Sequence, residues 1–251
     1  DGGVHALDAV TGKAIWTFDS GTPLLTSSFD AETQDGVIPG TDGWLYTYSG
    51  GSSGPSSGAV ERLPATARSL VEASPSVTPD GGVVVGQRHS TVYAVSAETG
   101  ALLRTFHGPE AGDLAGGAGA EELVTSLVEE MAGEVGGSAS LDGMVFLGRT
   151  EYAVRSLDAA TGATRWNVSH AELQPLAAPE ALSGDSPAPS LALGTGNSLH
   201  ASGPGGWEQW SAKFASPPVA AFTPGGVDLL RGGVGDGGGL PRLPGQPRAG
   251  G

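Results

Sequence analysis

Val4-His5-Ala6-Leu7-Asp8-Ala9-Val10-Thr11-Gly12-Lys13-Ala14-Ile15-Trp16 is the stretch that decides the fold. The pattern returns at Val92 to Arg104 and again at Val154 to Trp166, each time with Thr-Gly at the eighth and ninth positions. A worn fourth copy runs from Ser198 to Trp210 and keeps Gly206 and Trp210 in register. The pattern reads as an alternating strand, a tight turn and a return strand. Gly12 is placed to supply the positive φ that closes the turn. Such a hairpin cannot bury its apolar face alone, so the copies must share sheets and a core.

Composition agrees with a chain built of strands and turns. Its 251 residues allow one large all-β domain or two small ones, and 43 glycines with 18 prolines predict many turns. The formal charge of −15 argues against nucleic-acid binding, which needs a basic surface. There is no cysteine, which excludes disulfides and thiolate metal sites. No apolar run is long enough to span a membrane. The chain opens at Asp1 with a repeat already under way, so a preceding portion, such as a signal peptide, is expected.

Working outward from the repeats, Gly36 to Pro39 and Gly43 to Tyr48 read as a degenerate hairpin turning at Asp42-Gly43. Gly50 to Gly58 is a Gly/Ser loop. Thr66 to Ala73 reads as a short helix capped by Thr66 and stopped by Pro75. Val83 to Val85 and Met144 to Gly148 are short strands leading into the second and third repeats. Residues 107–140 form an insertion rich in Gly, Ala and Glu. It holds a helix near 120–132, with Leu123, Val124, Leu127, Val128 and Met131 on one face. That helix either packs on the domain or docks a partner. Gln174 to Pro189 reads as a loop, and Leu191 to Trp210 as the last hairpin. The expected organisation is a β domain over 1–222 and a disordered Gly/Pro-rich tail over 223–251.

Catalytic constellations are hard to find. The histidines at 5, 89, 107, 170 and 200 have no metal-ligand spacing and read as lone surface residues. Gly40 to Gly43 and Gly194 to Asn197 are turns that lack the helix and lysine of a phosphate loop. Ser27 and Ser28 have no partnered base. Asp8 and Asp158 precede turns, where a carboxylate caps the local backbone. Asn167-Val168-Ser169 is a glycosylation acceptor in a chain with only two asparagines.

Longer blocks carry a resemblance. The repeat itself resembles the pyrroloquinoline-quinone propeller repeat, which names a fold and not a function. Phe146 to Tyr152 (Phe-Leu-Gly-Arg-Thr-Glu-Tyr), continuing to Trp166-Asn167-Val168-Ser169, resembles the luminal domain of the inositol-requiring unfolded-protein sensors. Leu63-Pro64, Leu70 to Pro75, Asp80-Gly81, Val85-Gly86 and Trp210 with Phe214 to Pro217 agree in order, so the resemblance spans about Asp1 to Phe222. The related PERK sensors share the repeat, but the Gly-Arg-Thr-Glu-Tyr block favours the inositol-requiring type. The fold class expected is therefore mainly β: antiparallel sheets of quinoprotein-type, propeller-like hairpin repeats, with one or two short helices.

The resemblance implies a sensing domain in the lumen of the endoplasmic reticulum, the luminal part of a single-pass membrane kinase and endoribonuclease. It implies no catalysis by this chain and no cofactor. The implied partners are a second copy, unfolded polypeptides and a Hsp70-type luminal chaperone, with no nucleic acid. Contact with the membrane would come only through a segment outside this chain. The family's dimer contact maps onto Ser90, Thr91 and Val92, faced by Glu72 and Pro75. Animal members carry acidic and tryptophan residues where Ser90 and Val92 stand, so a charge-assisted contact and a buried anchor are lost. The alternatives are a fragment of a quinone-binding propeller dehydrogenase and a repeat scaffold for membrane-protein assembly.

Overall fold

The computed structural model describes residues 1–29, 36–49, 59–107, 124–130, 143–178, 189–203, 205–223 and 229–230. The Gly50 to Gly58 loop, most of the 107–140 insertion, residues 179–188 and nearly all of the 223–251 tail lie outside these residues. The described strands are β1 (Gly3–Leu7), β2 (Ala14–Asp19), β3 (Leu25–Ser28), β4 (Gly36–Pro39), β5 (Trp44–Ser49), β6 (Ala59–Thr66), β7 (Ser76–Val77), β8 (Gly82–Ser96), β9 (Leu102–His107), β10 (Met144–Asp158), β11 (Thr164–Ala177), β12 (Ser190–Leu193), β13 (Ser198–Ser202) and β14 (Glu208–Lys213). Helix α1 spans Ala67–Glu72, and residues 124–130 form a second helix, α2. All strand pairs are antiparallel. The fold is mainly β, as the repeats imply.

The four copies do not merge into one sheet. The second and third supply β8–β9 and β10–β11 of a six-stranded sheet, ordered β3-β11-β10-β8-β7 with β9 also on β8. The first copy forms its own two-stranded sheet, and the fourth joins β12 in a three-stranded one. Tryptophans link these pieces. The Trp16 indole donates to the Ala97 carbonyl at 2.8 Å, and the Trp210 indole donates to the Ala9 carbonyl at 2.8 Å. Ala9 and Ala97 occupy the same repeat position, so each indole seats on the turn of another copy. The contact is close: a Cβ on Gly12 would meet the Trp210 ring at 2.5 Å, and one on Gly100 the Trp16 ring at 2.8 Å. Both glycines also hold positive φ, at 69° and 70°. Glycine is thus required twice over at these turns. Arg104 replaces the tryptophan in the second copy, and nothing lies within 4 Å of a Cβ on Gly162 in the third turn.

The first three turns close alike. Asp8 and Asp158 accept from the amide and hydroxyl of Thr11 and Thr161 respectively. The glycine amides at 12, 100 and 162 donate back to the carbonyls of residues 8, 96 and 158 at 2.8 Å. The fourth turn is tighter, with the Gly206 amide on the Gly203 carbonyl at 2.9 Å, and its bulge falls one position later in the repeat.

Two strands are much longer than the apolar runs suggest. Val83 to Val85 belongs to the 15-residue β8, and Met144 to Gly148 to the 15-residue β10. Gln174 to Ala177, expected in a loop, completes β11. Even-numbered residues supply most of the core on one face of this sheet. Val92, Ala94, Phe106 and Phe146 pack against Val124 and Leu127 of α2 at one end. Val84, Tyr152, Val154 and Val168 pack against α1 and the β4–β5–β6 sheet at the other. Helix α2 therefore seals this sheet, which decides between the two readings of its apolar face. Helix α1 is capped as expected: Thr66 accepts from the Ser69 amide at 3.1 Å, and the Ser69 hydroxyl accepts from the Thr66 amide.

Candidate functional site

The odd-numbered face of the six-stranded sheet is covered at one end only. There Tyr93, Val95, Val145 and Leu147 pack under Phe18, Val4 and Trp16 of the first hairpin. Arg149 marks where the cover stops. It is 4% exposed. Its guanidinium donates to the carbonyls of Ser20 and Thr22, at 3.3 and 2.8 Å, and to their hydroxyls, at 3.0 and 2.8 Å. Glu151 lies 3.3 Å away as its carboxylate partner. A planar fork with five donors suits this job, and a lysine could not fill it. The diagnostic Gly-Arg-Thr-Glu-Tyr block is thus a staple that binds the loop after β2 to the sheet.

Beyond Arg149 the face is open. A shallow hollow of about 420 Å³ lies there, lined by Val85 and Gln87 of β8, Glu151, Ala153, Arg155 and Leu157 of β10, Asn167 and Ser169 of β11, and Thr26 of β3. Register places Val85, Arg155 and Asn167 in one row across three strands, and Gln87, Ala153 and Ser169 in the next. Val85 is 42% exposed. The hollow mixes apolar floor, one cation and one carboxylate, which suits an extended polypeptide better than a small ligand.

A second feature adjoins it. On the side of β8 away from β10, β7 pairs with Val83 and Val84, and β9 pairs with Thr91 to Val95. Among the described residues no strand pairs with Val85 to Ser90 on that side. The gap is about 17 Å long at ~3.4 Å per residue. The Gly86 amide there donates to the Ser74 hydroxyl at 2.7 Å. Helix α1 approaches so closely that a Cβ on Gly86 would meet the Val71 Cα at 2.6 Å.

The residues singled out by resemblance fall around this gap. Glu72 and Pro75 are exposed near its lower end, with Glu72 paired to Arg68 at 2.9 Å. Ser90 and Thr91 are buried at its upper end, each 8% exposed. Val92 is 0% exposed and belongs to the core with Phe106 and Phe146. Its side chain is committed within the protomer, because the even face of β8 points inward there. Asn167 is exposed on β11 and lines the hollow.

Two arrangements escaped the sequence reading. His170 is not a surface residue; it is 3% exposed, packed near Gly43. His200 stands between the Ser198 hydroxyl, at 2.9 Å, and the Glu208 carboxylate, at 3.0 Å. The spacing of two along β13 and the pairing of β14 could have signalled this chain of groups. The Ser198 hydroxyl donates to the Thr195 carbonyl at 2.9 Å, so its proton is engaged in closing the turn. Elsewhere, Arg165 bridges Asp158 and Asp80 at 2.8 and 2.6 Å. The hydrogen bond from Arg165, followed by that from the Thr161 amide, holds the Asp158 carboxyl well below the usual carboxylate range. The described residues contain no group of three or more His, Cys, Asp or Glu that could hold a metal ion. No helix among them is long and apolar enough to cross a membrane.

Comparison with known proteins now places this architecture. Residues 1–223 match the sequence model of a repeat family described as outer membrane protein assembly factor BamB. The chain belongs to this repeat family. The chain is also homologous to serine/threonine-protein kinase/endoribonucleases and to eukaryotic translation initiation factor 2-alpha kinases. It is 32% identical over 177 residues to the serine/threonine-protein kinase/endoribonuclease ireA of Aspergillus fumigatus, covering 64% of this chain and 14% of that protein. It is 26% identical over 170 residues to ire-1 of Caenorhabditis elegans, covering 67% and 14%. It is 28% identical over 181 residues to eukaryotic translation initiation factor 2-alpha kinase 3 of Rattus norvegicus, covering 69% and 14%. The chain thus spans about one-seventh of each relative. The compact lumenal domain of yeast Ire1 shares the fold, with a TM-score of 0.58 at 20% identity, over 87% of this chain and 65% of that one.

Proposed function

We propose that this chain is the luminal sensing domain of a transmembrane kinase/endoribonuclease of the unfolded protein response. In this reading it resides in the endoplasmic reticulum, binds unfolded polypeptides and self-associates, and performs no catalysis itself. The observation that carries the reading is the open hollow on the central sheet, beside the stretch of β8 to which no described strand adds on its outer side. An extended polypeptide can lie across Val85, Ala153 and Asn167, its apolar side chains on the floor and its basic ones toward Glu151. The formal charge of −15 favours basic segments over acidic ones. The likeness to ireA, ire-1 and the yeast lumenal domain supports the same assignment.

Self-association is assigned to the Val85–Ser90 edge, flanked by Glu72 and Pro75 below and by Ser90 and Thr91 above. Two copies meeting there would pair backbones, since Val92 lends no side chain to the contact. A Hsp70-type luminal chaperone would compete for the same exposed surfaces. Asn167 is the glycosylation site of this reading. The domain itself is assigned to residues 1–222, with the rest of the chain as a tail.

The test combines sedimentation velocity over a concentration series with anisotropy of a fluorescent unfolded peptide rich in Arg and Leu. The expected result is concentration-dependent association and saturable peptide binding. A folded chain that stays monomeric and binds no peptide refutes the proposal. A second reading, a scaffold for membrane-protein assembly, is favoured by the family description. It predicts binding to unfolded strands of β-barrel proteins in preference to the basic peptide, which the same assay measures.

A further inference from the structure

We infer that the third repeat turn is an indole seat that takes a tryptophan side chain of an unfolded polypeptide lying in the hollow. The inference rests on the peptide binding proposed above and names the side chain that this end of the hollow selects. Two seats of this kind are filled within the chain. Trp16 covers the Gly100 turn, donates to the Ala97 carbonyl at 2.8 Å and packs with Val95. Trp210 covers the Gly12 turn, donates to the Ala9 carbonyl at 2.8 Å and packs with Leu7. Leu157, Ala159 and Gly162 hold the same three repeat positions in the third copy. Their turn is built alike: Gly162 has a φ of 73°, and its amide donates to the Asp158 carbonyl at 2.8 Å.

The third seat differs in what covers it. Gly100 is buried and Gly12 half-buried under their indoles, whereas Ala159 and Gly162 are exposed. Among the described residues nothing lies within 4 Å of a Cβ on Gly162. The order of filling explains the difference. Trp210 of the fourth copy seats on the first turn, and Trp16 of the first copy on the second. The second copy would supply the third turn, but its residue there is Arg104, which lies over the Phe106 ring and 3.9 Å from Glu130. The seat is continuous with the hollow, because Leu157 lines both. Val95 and Leu157 share the odd-numbered face of the six-stranded sheet, so Trp16 marks the side from which an indole arrives. An extended chain in the hollow therefore brings a side chain to this turn. The filled seats define the occupant: a flat apolar bicycle with one N–H donor, which is tryptophan. The formal charge of −15 favours a basic residue beside it.

The test compares two fluorescent basic peptides that differ only in Trp or Leu at one position. Each is titrated by anisotropy against the parent chain and two variants made in a bacterial host. Gly162→Asn tolerates the positive φ and puts a Cβ where a seated indole would lie, as a Cβ on Gly12 would meet Trp210 at 2.5 Å. Gly196→Asn is the control, at a φ of 67° and outside the hollow, with no described atom within 4 Å of the new Cβ. The parent and Gly196→Asn should bind the Trp peptide about tenfold tighter than the Leu peptide, and Gly162→Asn should bind the two equally. Equal binding by the parent, or a Trp preference that survives Gly162→Asn, overturns the inference. So does weaker self-association of both Gly162→Asn and Trp207→Ala with the peptide preference intact, which puts Trp207 of a second copy on the turn. Failure of the sensing proposal shows separately, as a parent that binds neither peptide. The seat is then decided by N-acetyltryptophanamide, which should shift the Gly162 amide resonance where N-acetylleucinamide does not; no shift overturns it.

Discussion

Replacing Trp16 by alanine tests the way the repeats are joined. The indole covers Gly100, packs on Phe18 and Val95, and donates to the Ala97 carbonyl at 2.8 Å. Truncating a fully buried Trp costs about 3–5 kcal/mol. Trp16 is half-buried, so roughly 2 kcal/mol follows from packing. The lost hydrogen bond adds about 1 kcal/mol. A total near 3 kcal/mol corresponds to a fall in Tm of about 6–12 °C for a domain of this size. Trp16→Phe keeps much of the ring and loses the N–H, so it should cost roughly 1–2 kcal/mol. Trp207 serves as the control. It is 61% exposed, so Trp207→Ala should stay within about 0.5 kcal/mol of the parent. The assay is thermal and urea unfolding followed by circular dichroism and fluorescence. A Trp16→Ala protein as stable as Trp207→Ala refutes the idea that indoles seated on turns hold the sheets together.

Other perturbations follow from the same geometry. Arg149→Met takes the buried guanidinium from the Thr22 carbonyl and leaves the Ser20 carbonyl only the Tyr93 hydroxyl, and should cost about 3 kcal/mol; Arg149→Lys should rescue only part of it in urea unfolding. Gly86→Ala drives a methyl into the Val71 backbone, so it should destabilise by about 1–3 kcal/mol and weaken self-association in sedimentation runs, since α1 carries Glu72. The carboxyls of Asp158 and Asp8 are held below their ordinary range by their hydrogen bonds from Arg165 and Thr161 and from Thr11. Their stabilisation is complete above the unfolded carboxylate pKa of about 4 and is lost as pH falls through the lower folded values. The melting temperature should therefore drop as the medium is acidified below that point, and Asp158→Asn should flatten the drop.

The repeats were legible because their chemistry is local. Asp8, Thr11 and Gly12 make a turn whose hydrogen-bond partners all lie within five residues, so the motif alone predicts its geometry. Thr66 and Ser69 cap α1 for the same reason. The long strands were not legible. β8 carries Gln87, Arg88 and His89 in its middle, all exposed; the face that Gln87 and His89 share is open there, and no described strand pairs with the outer edge between β7 and β9. Alternation fails where burial fails, so the strand read as two short pieces. The first copy's separate sheet was also hidden, since nothing in a hairpin records which neighbour it joins. Arg149 reads as a surface charge until the loop that accepts from it, about 127 residues earlier, is in view. Of the residues carried by resemblance, Val92 lies in the core with Phe106 and Phe146, a placement that a single repeat copy does not reveal.

The central claim is that unfolded polypeptide lies on the open face of the six-stranded sheet. Site-directed photo-crosslinking tests it most directly, with a benzophenone attached to Val85→Cys in the otherwise cysteine-free chain. The control attaches the same group to Thr17→Cys on β2, outside the hollow. The account predicts peptide crosslinks from position 85 that unlabelled peptide competes away, and few from position 17. Equal capture at the two positions, or capture at 17 alone, would contradict it.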